Sequence, residues 1–409
     1  MRSFRTPSVL VACLVAVAWL SGCGGGTGTD AVQADGTGEN GSNGGEPTTA
    51  EIAYSTGHQY LLAGNYARAV PELRRAVAAD PSLRSAWIDL GDALEKQEEY
   101  EDAAAAFKEG AHLNGEDLNV LARAAWDYAR ADAYEDAIFA YEEVLHSDPQ
   151  FKAALMGLGV IYTEMGETET ALGYYEKALE VEPGDPVAIR SLAGHYQEKA
   201  DELKTKLAAA GSDAAQDSLQ AQMMAALSKA AVYYENGVEN STDNSIEFQR
   251  QLGNMWYSHK VWDKAVPVYR DLLQTDPENL NYNFSLAVSL DRTGKKAESL
   301  EYYRNVLDID PTQTKIYVLL ANAYGDMKQF DKALEIIKRG LANAPDQAAG
   351  LNCSWGSLLE AQGNYEEAIT KFEKATSDPQ WGTYAQKQIE RQEKLIKIRE
   401  LKKEQEAGY

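Results

Sequence analysis

The sequence predicts an all-α protein, a superhelical solenoid of about nine helix pairs closed by a C-terminal capping helix. Three observations lead there. From Ala50 onward similar residues return every 34 positions, and within each period apolar residues recur three and four apart in two short stretches. Asp-Pro pairs punctuate the periods, at Asp80-Pro81, Asp148-Pro149, Asp276-Pro277, Asp310-Pro311 and Asp378-Pro379. Apolar spacing of three and four gives each short helix one buried face. Proline disfavours helical geometry in the residue before it, so each Asp-Pro ends a helix. One such pair buries too little by itself, and neighbours must stack.

The first 49 residues stand apart from this pattern. Arg2 and Arg5 precede an apolar run of twelve residues, Val9 to Leu20, followed by Leu20-Ser21-Gly22-Cys23. Twelve residues reach roughly 18 Å as a helix, short of a hydrocarbon core of about 30 Å. A positive start, a short apolar stretch and small residues make a secretion signal over residues 1–23. The Leu-Ser-Gly-Cys ending resembles the lipobox of bacterial lipoproteins, and the resemblance implies lipidation at Cys23. Gly24, in place of Asp, resembles lipoproteins sent on to the outer membrane. Residues 24–49 hold nine glycines, four acids and no Lys or Arg, and read as a disordered tether spanning about 28 Å.

The repeats occupy residues 50–380. Units begin near Ala50, Arg84, Leu118, Lys152, Pro186, Ile246, Leu280, Thr314 and Ala349. In the second, Trp87, Leu90 and Gly91 come early, Tyr100 and Ala103 mid-repeat, then Phe107 and Gly110; the fourth places Leu155, Leu158, Gly159, Tyr162, Gly166, Ala171, Tyr175, Ala178 and Pro183 in the same slots. The last has Trp355, Gly356, Gly363, Tyr365, Ala368, Phe372 and Ala375. Small residues such as Gly91 and Ala103 are expected where two helices cross closely. This pattern resembles the tetratricopeptide repeat (TPR), with departures at Gly115, Thr168 and Ser299. Repeats 1–4 fill 50–185, repeat 5 fills 186–245, and repeats 6–9 fill 246–380. Residues 381–409, charged and helical, are expected to cap the array.

Repeat 5 is about 26 residues too long. Its extra segments, Gln197 to Ala210 and Asp213 to Ser228, are rich in good helix formers around Gly211-Ser212. They predict two lengthened helices in a hairpin projecting roughly 20 Å.

Chemistry is sparse by comparison. With 39 basic and 63 acidic residues the formal charge is −24, which disfavours nucleic acid and polybasic binding to anionic lipid. The five histidines lie in no metal-ligand spacing, no phosphate loop or nucleophile turn occurs, and Cys353 has no His in its own repeat. The expectation is a non-enzyme without cofactor or metal.

The resemblance implies that first helices line a concave groove that holds other proteins. Its slots here are Ile88, Trp126, Met156 and Val160, and then Phe284, Val288 and Val318. Arg250, Asn254 and Lys315 fit part of the family's carboxylate clamp, but Ser285 and Leu319 stand where its Asn and Arg would be. The functional expectation is a membrane-anchored scaffold in assembly of an envelope complex (outer-membrane proteins, a pilus or a secretion machine), on the outer membrane facing the periplasm. The alternative is a recruiter of peptidoglycan enzymes.

Overall fold

The computed structural model describes residues 47–343 and 348–407, and the expected signal and most of the tether lie outside them. Nineteen helices and no strand occur among the described residues. The chain divides into two compact units, Met1–Ser245 and Ile246–Tyr409.

The first unit holds five helix pairs: α1 (Thr49–Leu62) with α2 (Tyr66–Ala79), α3 (Arg84–Glu95) with α4 (Tyr100–His112), α5 (Leu118–Arg130) with α6 (Tyr134–Ser147), α7 (Lys152–Glu164) with α8 (Thr168–Val181), and α9 (Pro186–Ala209) with α10 (Asp213–Asn240). The second holds α11 (Ser245–Ser258) with α12 (Trp262–Thr275), α13 (Leu280–Arg292) with α14 (Lys296–Ile309), α15 (Thr314–Asp326) with α16 (Phe330–Asn343), α17 (Ala348–Ala361) with α18 (Tyr365–Glu373), and the final α19 (Gly382–Ala407). Helix α1 begins inside the expected tether. Thr48 and Glu51 form a reciprocal capping box that satisfies two backbone donors and fixes the start at Thr49.

Outside the long fifth pair, the recurring closure is a small residue on the first helix lying under a large one 16 positions later. A Cβ on Gly91 would sit 2.5 Å from the Phe107 ring, one on Gly159 2.6 Å from Tyr175, and one on Gly356 2.7 Å from Phe372. Gly57 stands in the same relation to Leu73, and Gly253 to Tyr269. In the third pair Ala125 and Tyr141 fill these slots and both are buried. The tyrosine also reaches onward: a Cβ on Gly157 would meet its ring at 2.3 Å. The third and fourth pairs therefore interlock through this one side chain. Ser299, a departure from the pattern, is fully buried and donates its hydroxyl hydrogen bond to the Lys296 carbonyl at 2.8 Å, which satisfies the polar group.

The turn within a pair is equally regular. Gly64, Glu98, Asp132, Gly166, Lys260, Gly294, Lys328 and Gly363 all have φ between 58° and 81°. That left-handed conformation closes a helix and suits glycine best, yet four of the eight positions carry a side chain. The turn between pairs uses both halves of Asp-Pro. Pro ends the helix, and the Asp carboxylate accepts a hydrogen bond from the backbone N–H two residues on: Ser82, Gln150, Thr312 and Gln380, each at 2.9 Å. The hydrogen bonds from Ser82 hold the Asp80 carboxyl below its usual range.

The fifth pair is the long one. Helix α9 has 24 residues and α10 has 28, against 12 to 14 in the other helices of this unit. Ala200, Leu203, Met223 and Leu227 are buried along the arms, and Ser212 caps α10 by accepting from the Ala215 N–H.

Two glycines of the fourth pair test this packing. Gly159→Leu would meet Tyr175 and should cost about 1–3 kcal/mol or more. A Cβ added to Gly173 on α8 would have no neighbouring atom within 4 Å, so Gly173→Ala should stabilise by about 0.5–1 kcal/mol. Urea melts giving both variants the same midpoint would contradict the close crossing.

Candidate functional site

First helices of successive pairs touch one another directly, α1 with α3 and α5 with α7 in the first unit, and α15 with α17 in the second. One face of each first helix packs on its own second helix, and an edge packs on the next first helix. A remaining strip is left toward solvent, and the expected groove residues divide along it.

Trp126 on α5 and Met156 and Val160 on α7 are half-buried on consecutive first helices. Ile88 is half-buried too, but packs against the first unit's core. Phe284 and Val288 likewise pack against core in the second unit. Val318 corrects the expectation outright: it is only 9% exposed and belongs to that core. Helix α17 lies directly on α15, so the slot is covered.

Arg250 is exposed, but Glu247 holds its guanidinium by two hydrogen bonds of 2.9 and 2.5 Å. Asn254 accepts a hydrogen bond from the Tyr269 hydroxyl at 2.9 Å. Lys315 is exposed on α15.

A polar ladder runs beside the apolar strip in the first three pairs. His58 Nδ1 and Asp89 Oδ2 are 2.6 Å apart. Arg123 donates to Asp92 at 2.6 Å and to Glu95 at 2.8 Å, and its guanidinium lies 4.2 Å from the Phe107 ring centre. Arg130 donates to the Tyr100 hydroxyl at 2.7 Å and stands 3.5 Å from Glu95. The 31-residue spacing of His58 to Asp89 and of Asp92 to Arg123 puts slots of adjacent repeats face to face. That spacing was available in the sequence as complementary polar residues one period less three apart.

Asp127 sits behind this ladder. Its side chain is 1% exposed, both carboxyl oxygens are buried without a hydrogen bond, and the Arg130 guanidinium is 3.6 Å away. Burial, reinforced by the Glu95 charge and opposed by Arg130 and Arg123, pushes the Asp127 carboxyl up to about 7. Burial, and then the Asp127 charge, push the adjoining Tyr141 phenol upward. Burial also raises the Asp89 carboxyl in the ladder, against the opposing contact with His58.

Elsewhere the chemistry is quiet. Burial, with the Asp378 charge, pushes the Cys353 thiol up to about 11, the reverse of what a reactive thiolate requires. His112, Glu116 and Glu143 bring ligand atoms within 4.8 Å of one another at the surface. Internal pairings account for that cluster: His112 faces Glu143 at 3.6 Å, and Ser147 donates to Glu116 at 2.7 Å. An open crevice of about 560 Å³ between α2, α3, α4 and α5 is lined by Val77, Trp87, Leu90, Leu94 and Tyr128, with Arg74 and Asp102 at its rim.

Stacked antiparallel helix pairs with a residual strip on their first helices define a helical-repeat binding protein. Two family profiles, both described as Tetratricopeptide repeat, match residues 54–116 with 256–314 and 128–196 with 292–352, together more than half of the chain. The chain belongs to the tetratricopeptide-repeat family. A stretch of 99 residues is 26% identical to Hsp70-Hsp90 organizing protein 3 of Arabidopsis thaliana, covering 24% of this chain and 18% of that protein. A stretch of 64 residues is 36% identical to the Protein SGT1 homolog of Oryza sativa subsp. japonica, covering 16% of this chain and 17% of that protein. The chain thus spans less than a fifth of either relative's length. Among solved structures it is similar to MamA protein, at 22% identity and a TM-score of 0.34 over 44% of this chain and 91% of that one. It is also similar to a TPR repeats protein from Bacteroides fragilis NCTC 9343, at 19% identity and a TM-score of 0.38 over 51% and 98%.

The titration of Asp127 has a sign. Its carboxyl rises from 3.8 to about 7 on folding, so the fold favours the protonated form. That contribution is present below the unfolded value and is lost as pH rises through the folded one. Asp127→Asn should therefore gain stability over wild type as pH goes from about 4 to about 8. A melting-temperature difference that stays flat across that range would contradict the shift.

Proposed function

We propose that the protein is a non-enzymatic scaffold, held at a membrane of the bacterial envelope by a lipid on Cys23, which captures segments of other envelope proteins on its first helices. The observation that carries the binding half is the strip formed by Trp126, Met156 and Val160. These large apolar side chains keep partial access to solvent on two touching helices of a packed array. A Trp flanked by apolar neighbours on a rigid support has the composition of an interface anchor. The rigid support matters, since little freedom is then lost on binding. The Hsp70-Hsp90 organizing proteins are named for organising other proteins, in keeping with this use of the repeats.

The anchoring half rests on Leu20-Ser21-Gly22-Cys23 behind a short apolar run and on the glycine-rich residues that follow. A long tether would leave the body free to reorient near the membrane. Gly24 favours the outer membrane, with the body facing the periplasm.

One fractionation separates the two halves. Cys23→Ser should release the protein from the membrane fraction, while Trp126→Ala together with Met156→Ala should leave it there. The second variant should lose its cross-linked protein partners about tenfold or more, as expected of a buried aromatic anchor. A membrane-bound Cys23→Ser protein overturns the lipid anchor, and an unchanged partner set in the second variant overturns the groove.

A further inference from the structure

The chain as a whole is acidic, but its last helix reverses the sign. Helix α19 carries seven Lys and Arg against five Glu, in a protein of formal charge −24. Its two faces differ. Ala385 and Gln392 are fully buried, and Ile389 packs against the core under α17 and α18. Gln392 donates to Glu360 at 2.7 Å, and Arg399 pairs with Glu366. These contacts fix which side of α19 faces the body.

The opposite side is centred on Ile398, about two and a half helical turns beyond Ile389 and therefore about 180° from it around the axis. Ile398 is 49% exposed and Leu401 50% exposed, two of the few large apolar side chains so open among the described residues. Lys387, Arg391, Lys394 and Lys402 surround them, all exposed. Within about 60° of Ile398 around the helix no acid occurs among residues 382–403; Glu390, Glu393 and Glu400 fall outside that sector. Arg391 is shared with Glu360 at 3.0 Å but keeps 62% of its side chain exposed. Helix α19 has 26 residues, and its contacts with the body run on to Arg399, so the sector lies on the outer side of a docked helix.

We propose that this outer face of α19 lies on an anionic lipid surface. The face is a single convex helix side in which apolar residues are ringed by long cationic side chains. Lys and Arg stems can run along the apolar residues while their charges reach the headgroups. Each cation near such a surface contributes attraction that salt weakens. A convex strip of alternating Ile, Leu and Lys fits a flat, deformable lipid interface better than a rigid protein groove. No helix among the described residues is long and apolar enough to cross a membrane, so α19 would lie in the interface. The inference deepens the membrane reading above without needing the lipid on Cys23.

The test removes that lipid. In the full chain with Cys13 and Cys23 changed to Ser, Ile398→Cys is labelled with an environment-sensitive fluorophore, Cys353 being buried. Vesicles of phosphatidylcholine with phosphatidylglycerol should shift the emission to the blue, and vesicles of phosphatidylcholine alone should not. The shift should reverse in high salt, and Lys387→Glu with Lys394→Glu and Lys402→Glu should weaken it about tenfold or more. The salt titration on the unsubstituted lysines keeps the test decisive if the triple variant misfolds. No shift on anionic vesicles overturns the proposal, as does an equal shift on neutral ones. A shift that grows with protein concentration in the absence of vesicles also overturns it, and assigns the face to an acidic protein surface such as a second copy. Loss of Cys23 lipidation alone would leave the outcome unchanged.

Discussion

Everything in this fold depends on how closely the two helices of a pair approach. An ordinary side chain on the first helix would hold them apart; glycine or alanine at that point lets a ring from the second helix drop onto the backbone. Phe107 over Gly91, Tyr175 over Gly159 and Phe372 over Gly356 are the same contact repeated. Filling that space with aromatic surface supplies much of the burial each pair can make, at a few kcal/mol per large side chain. Tyr141 shows how the contact propagates, since the ring 16 positions after the buried Ala125 also meets Gly157 in the next pair.

The position of the proposed binding surface follows from the same constraint. Because the small-residue face of each first helix is committed inward and one edge is committed to its neighbour, only a narrow strip is left. Along that strip the first unit commits its polar slots to a ladder of ion pairs and leaves Trp126, Met156 and Val160 accessible. Partly exposed ion pairs of this kind contribute little stability each. Their effect is to fix side-chain directions, so that the apolar residues beside them are presented in one arrangement. The fold disfavours the charge of the buried Asp127 at the base of the ladder, whose carboxyl is pushed up to about 7.

Much of this was legible in the sequence, and the limits have physical causes. The 34-residue period, the small residues and the Asp-Pro pairs specify helix pairs, because each is a local signal tied to backbone geometry. The aspartate of Asp-Pro was legible only as a neighbour of proline; its own carboxylate cap shows in the N–H bonds of Ser82, Gln150, Thr312 and Gln380. Left-handed turns at Glu98, Asp132, Lys260 and Lys328 carried no glycine to announce them. Slot position alone could not separate Trp126 from Val318, since exposure depends on how the next repeat lies over each slot. The local charge reversal in α19 was hidden inside a large net charge of the other sign.

The most direct measurement of the central contact is a double-mutant cycle on Gly91 and Phe107. Gly91→Val alone should destabilise by overpacking, and Phe107→Leu alone by leaving a gap. If the ring and the added side chain compete for one space, the double variant should be more stable than the sum of the two losses by about 1 kcal/mol or more. Strictly additive losses would mean that Gly91 and Phe107 do not share that space, and that the pairs close through some other contact.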